Sequence, residues 1–121
     1  MAFKLTVADV LEFQVKGSVR SADALVPFSF HMQADRIDAA EYRNVFADGS
    51  EIITRDFLQE HVKGWRGQRL VVDDATGQPA DYSPDALDAL LVGVVGMEAT
   101  VLAAYVQALQ IGDTAAGRAK N

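Results

Sequence analysis

At 121 residues, with 50% apolar and 23% charged side chains, the chain has the size and composition of a single folded domain and not of a disordered segment. No apolar run reaches the ~20 residues of a membrane helix. A net charge of −6 disfavours nucleic acid as a partner, because neutralising phosphates needs clustered Lys and Arg, and the nearest such cluster, Lys63, Arg66 and Arg69, is small. The absence of cysteine removes thiolate metal sites and Cys nucleophiles, and fits a reducing compartment.

The N-terminal stretch MAFKLTVADVLEF carries a single Lys and no apolar block ahead of a small-residue cleavage site, so it does not read as a secretory signal, and the cytoplasm is expected. Residues 5–10 read either as a short helix capped at Thr6 or as an irregular lead-in. From Val10 the pattern changes to a period of two. Phe13, Val15 and Val19 alternate with Gln14, Lys16, Ser18 and Arg20, which suits a strand with one buried face. Ser21-Ala22-Asp23 is a turn. A second alternation then sets Val26, Phe28, Phe30, Met32 and Ala34 against Pro27, Ser29, His31 and Gln33, and the two runs predict an antiparallel hairpin. Pro27 has no N–H to give a ladder, so it belongs near the strand start or on an open edge.

Asp38 with Glu41 forms a capping-box-like start for a helix over residues 39–47, with Tyr42, Val45 and Phe46 on one face. After Asp48-Gly49, Ser50 is placed to cap a second helix carrying Ile53, Phe57, Leu58, His61 and Val62, which Gly64 would end as a left-handed cap. Leu70-Val71-Val72 is rich in β-branched residues and flanked by breakers, so the third strand is expected there. Asp73-Asp74-Ala75-Thr76-Gly77 then reads as a turn. Ser83-Pro84-Asp85 opens a helix with Leu87, Leu90 and Leu91 inward. Gly93-Val94-Val95-Gly96 breaks it, and a last helix from Met97 lines up Val101, Ala104, Tyr105, Ala108 and Leu109 before Gly112. Residues 113–121 are expected to be a flexible tail. Strands first and helices after predict one α+β domain spanning residues 1–121. It should hold a small antiparallel sheet covered by four or so helices, with a mainly helical C-terminal half.

Catalytic chemistry has little to stand on. His31 and His61 are the only histidines, and neither sits in a motif. His31 reads as a solvated strand residue, and His61 as a helix-end cation. Asp73 and Asp74 lack the alternating ligands of a calcium loop, since Ala75 stands where the next ligand belongs. Gly93 and Gly96 lack the further glycines and the Lys of a phosphate loop. The serines lack a nucleophile elbow. No enzyme activity, cofactor or metal is therefore expected. Trp65 is either a core anchor or an interface anchor, and Val94, Val95 and Met97 beside the glycine break are either core or an apolar patch that takes a partner.

Taken in order, these features resemble the tail assembly chaperone family of long-tailed (lambda-like) bacteriophages and prophages, over residues 13–121. The resemblance is carried by Phe28, Phe30, Arg36, Asp38 and Glu41, then by Phe57-Leu58 and Val62 before Gly64-Trp65 and Gly67. Asp74, Gly77 and Pro79 follow, then Ser83 opening a helix with Leu87, Leu90 and Leu91, and finally Gly96, Tyr105 and Ala119-Lys120-Asn121. Order and spacing, not any single residue, make the likeness. One departure is Val95, which stands where typical members carry Pro.

The resemblance implies a non-enzymatic role during virion assembly. Such proteins coat the tape measure protein, recruit tail tube subunits and leave before the tail is finished, so the chain is expected in the host bacterial cytoplasm and not in the mature virion. It also implies a frameshifted longer form in many phages, and self-association is a further expectation. On this reading Trp65, Val94, Val95 and Met97 are the partner-binding candidates. The rival readings are a permanent virion component, such as a head–tail connector or tail terminator, and a small ligand-binding domain, which would need a deep polar-lined pocket.

Overall fold

A computed structural model describes residues 2–47 and 53–111. Strands β1 (Val10–Ser21) and β2 (Ala24–Asp35) form the expected hairpin. They pair without interruption from Val10–Asp35 to Ser21–Ala24. Ala22 in the connection takes φ 54°, the positive φ that short hairpin turns require. The Arg36 N–H donates to the Asp9 carbonyl at 2.7 Å and extends the ladder by one pair. In an antiparallel ladder alternate residues point their N–H and C=O to the same side, so even-numbered β2 residues face β1 and odd-numbered ones face away. Pro27 is odd-numbered, and its nitrogen therefore points to the open edge of β2, where its missing N–H costs nothing. Residues 2–9 take the irregular alternative, tied down where Arg36 Nε donates to the Ala8 carbonyl at 3.0 Å.

The inner face of the hairpin carries Leu11, Phe13, Val15, Phe30, Met32 and Ala34, all buried. Helix α4 (Met97–Leu109) lies across β1, and α2 (Thr54–His61) and α3 (Pro84–Gly93) pack against it and each other. Helix α1 (Ala39–Phe46) starts where Asp38 Oδ1 accepts the Glu41 N–H at 2.8 Å. The α3 cap is also as read from the sequence, with Ser83 Oγ accepting the Ala86 N–H at 3.0 Å and Pro84 in the first turn. Leu87, Leu90 and Leu91 from α3 and Met97, Val101 and Tyr105 from α4 complete the core.

The third strand lies elsewhere than expected. Strand β3 (Val62–Arg66) follows α2 without a connecting turn and pairs antiparallel with β2 over His31–Arg66 to Ala34–Val62, giving the order β1-β2-β3. Gly64 is thus a strand residue and not a helix cap: α2 ends at His61, and Val62 serves as its extended C-cap. A bulge between Gln33 and Ala34 breaks the period of two that would have marked β3. Leu70–Val72 is not a strand of the sheet. It belongs to an excursion closed by a single Val72–Pro79 bridge and by the buried Gln68 side chain, which bonds Val71 and Ala80 backbone atoms at 2.9–3.0 Å. Ser50, expected to cap α2, and the segment 113–121 lie outside the described residues, and α2 begins with Ile53 in the cap position.

The outer face of the sheet is polar. Glu12 holds it together, accepting from Arg66 Nε and Nη2 at 2.9 Å and from Gln33 Nε2 at 2.6 Å. These hydrogen bonds, Arg66 first and Gln33 second, lower the Glu12 pKa to about 2. Burial and neighbouring carboxylates push Tyr105 up to about 12.

Candidate partner-binding surface

Helix α3 ends at Gly93, and α4 leaves at 114° to it. The turn between them closes through the Met97 N–H donating to the Val94 carbonyl at 3.1 Å. Gly96 sits there at φ 91°, a conformation that costs a residue with a Cβ ~1–2 kcal/mol. Its carbonyl accepts the Thr100 N–H and hydroxyl at 3.0 and 2.9 Å, which fixes the first turn of α4. The turn sorts its own side chains. Met97 is buried and Val94 packs half-buried against the core. Val95, by contrast, is 102% exposed at the apex, and Val92 one turn back is 56% exposed.

Two shallow grooves flank that apex. One, of about 580 Å³, separates it from the far end of the hairpin and is lined by Val19, Phe28, Val94, Met97 and Thr100 among others. The other, of about 530 Å³, is lined by Thr54, Leu91, Val92, Glu98 and Leu102. The hairpin wall sets Val19 and Phe28 among Ser18, Arg20 and Ser21; the inner face of the sheet runs on past the helices here, where Val19 and Val26 are cross-strand partners and Val26 is 42% exposed. Phe28 stacks beside Phe30 with ring centroids 6.0 Å apart and lies over Gly17, where a Cβ would meet the ring at 3.0 Å. Val19 and Phe28 thus face Val94 and Val95 across the groove, and Arg55, which pairs with Asp88 at 3.5 Å, lines the groove on the other side of the apex. An exposed apolar apex flanked by shallow grooves, with no deep cavity among the described residues, suits a protein partner better than a small ligand.

Trp65 does not join this surface. It pairs with Met32 on the inner face of the sheet, half-buried, and its Nε1–H donates to the Ala80 carbonyl at 3.1 Å. Tyr82 stands edge-on to it at 5.3 Å and gives its own hydroxyl to the Val62 carbonyl at 3.0 Å. Trp65 thus pins the Gln68–Ala80 excursion to the sheet. The pocket beside it, about 260 Å³, is lined by residues 65–69 and 79–82 and shares none with the two grooves at Val95. Of the four candidates, then, Val94 and Val95 are brought together on an accessible surface, Met97 lies beneath it, and Trp65 is at the opposite end of α3.

Val19, Phe28 and Val92 were not singled out from the sequence as surface residues. Val92 carried a faint signal, since it falls off the Leu87-Leu90-Leu91 stripe. Val19 and Phe28 carried none, because a strand's alternation gives its inner face but not where the covering helices stop.

The remaining polar candidates have structural work. Asp73 Oδ1 accepts the Ala75 and Thr76 N–H groups at 2.8 and 3.2 Å, so the acidic stretch is an Asx turn. His61 ends α2, buried, with Nε2 3.7 Å from Glu41 and its ring 4.5 Å from that of Phe57. His31 is half-buried on the outer face between Gln14 and Arg66. Among the described residues no three His, Asp or Glu side chains converge as a metal site would require.

Comparison with protein-family models, with curated proteins and with solved structures returns no match.

Proposed function

We propose that this protein is a tail assembly chaperone of a long-tailed phage or prophage, which binds the tape measure protein and recruits tail tube subunits without catalysing a reaction. The observation that carries the reading is the exposed apolar apex at Val95 between two shallow grooves. It supports the reading because a long helical partner exposes apolar side chains at i, i+3 and i+4, and a ridge between two grooves can seat such a row on either side. Val95 and Val92 meet the partner, Val94 supports them, and Phe28 and Val19 form the opposing wall. Each site is small and its affinity modest. Many copies along one partner chain cover its apolar segments one after another. The acidic net charge keeps the coated assembly soluble.

The test is co-expression with a tape measure protein, whose gene the reading expects beside this one. The reading expects that protein to become soluble and to co-purify with this chain, and to remain insoluble when expressed alone. A tape measure protein that stays insoluble with the chain present, with no complex recovered, refutes it. Finding the chain in finished particles by mass spectrometry would place it among the structural components of the virion instead.

A further inference from the structure

Among the described residues the sheet order leaves β1 with one unpaired side along its whole length. Its odd-numbered residues pair with β2, so Val10, Glu12, Gln14, Lys16 and Ser18 direct their N–H and C=O groups outward. Among the described residues no other backbone group bonds to that edge. A free edge this long is a template for another strand unless something blocks it. Among the described residues no proline, bulge or covering segment does so: β1 is regular from Val10 to Ser21 and its partner register is unbroken.

From this edge we infer that β1 pairs antiparallel with β1 of a second copy, about a two-fold axis at Gln14, to make a six-stranded sheet. The register follows from charge and shape. Only even-numbered residues have free backbone groups, which restricts the pairings to those that set even opposite even. With Gln14 opposite itself, Glu12 of each copy faces Lys16 of the other, and the two ion pairs repeat across the axis. Lys16 has no ion pair within the chain among the described residues. Its ammonium reaches Glu12 from the side opposite Arg66.

On the inner face the same register sets Phe13 opposite Val15, and Leu11 opposite Gly17, which has no side chain to obstruct it. Shifting the axis to Lys16 or to Glu12 puts like charges face to face, which destabilises a cross-strand pair. An axis at Val15 keeps even opposite even but places Glu12 against Ser18 and Lys16 against Gln14, losing both ion pairs. An exposed Lys at a strand edge is a common guard against pairing. Here the Glu two positions beyond the axis turns that guard into a recognition element for an identical strand and a repellent for others.

The dimer is separate from the tape-measure reading. That reading rests on the Val95 apex, so either can fail while the other stands.

Light scattering coupled to size exclusion tests it first: the chain is expected at twice its 13.1 kDa, Lys16→Glu at the single-chain mass, and Lys16→Arg again at the double mass. Cross-linking tests the register. The chain has no cysteine, so Gln14→Cys introduces a sole thiol, which the axis places ~5.5 Å in Cα separation from its own copy, within disulfide reach. Ser18→Cys is the control, with its copies roughly 25 Å apart along the strands. Oxidation is expected to link Gln14→Cys dimers and not Ser18→Cys. A single-chain mass for the unmodified protein, a dimer indifferent to Lys16→Glu, or equal cross-linking at both positions overturns the inference.

Discussion

Tyr105 is the side chain through which the last helix grips the sheet, and removing its hydroxyl alone has a calculable effect. The ring is 1% exposed and stands edge-on to Phe13 at 5.7 Å and to Phe57 at 5.9 Å. Its hydroxyl donates to the Asp35 carbonyl at 2.6 Å, just beyond the Ala34–Val62 pair with which β3 begins, so that β3 supplies no partner there. Tyr105→Phe keeps the ring and deletes that bond, so a loss of ~1–1.5 kcal/mol is expected, or about 3–6 °C in Tm for a domain of this size. Tyr105→Ala also empties the space between Phe13 and Phe57 and is expected to cost ~3–5 kcal/mol.

The hydroxyl leaves a second mark. The folded pKa is raised from 10.0 to about 12, so the folded state holds this proton more tightly than the unfolded one. The resulting stabilisation is complete below pH 10 and is lost as pH rises from 10 to 12. Urea midpoints across that range measure it. The alkaline decline should be weaker in Tyr105→Phe than in the parent. Unchanged stability at neutral pH, or an identical alkaline decline in the variant, would refute the role assigned to the hydroxyl.

Glu12 gives the acid counterpart. Its pKa is lowered from 4.5 to about 2 by hydrogen bonds from Arg66 and Gln33, so its contribution is present above pH 4.5 and is lost as pH falls toward 2. Carboxyl NMR should show Glu12 still ionised at a pH where an unperturbed glutamate carboxyl is protonated, and Arg66→Ala should return it toward the ordinary range. At the α3–α4 turn, Gly96→Ala meets no atom within 4 Å but must hold φ 91°, so a loss of ~1–2 kcal/mol in denaturant unfolding is expected, from the backbone alone. Val95→Asp should leave stability within ~0.5 kcal/mol of the parent, because the side chain it replaces is fully exposed.

The hairpin was legible because its signal is local. Residues 10–35 alternate without a slip, and each inward residue from Leu11 to Ala34 on that pattern is buried until the helices give out near Gly17 and Phe28. The caps at Asp38 and Ser83 and the break at Gly96 were equally legible, since each depends on one residue's chemistry. Strand β3 was not. Val62 follows the helical residue His61 directly, Gly64 lowers strand propensity, and the bulge disturbs the alternation. Only the free side of β2 at His31–Ala34, distant in sequence, makes Val62–Arg66 a strand. Leu70–Val72 had the better composition and no partner strand within reach. For the candidate surface, the sequence pointed to Val94 and Val95 through their glycine neighbours, while burial separated them from Met97 and Trp65. That separation depends on the 114° bend and on where α3 begins, neither of which is written locally.

The most direct test of the proposed function combines this surface with its partner: co-purification of the tape measure protein with the parent chain and with Val95→Asp, at matched expression. The account predicts a soluble complex with the parent and loss of most of it with Val95→Asp, the variant itself remaining folded. Recovery of equal amounts of complex with both chains would contradict the claim that the Val95 apex is the binding surface.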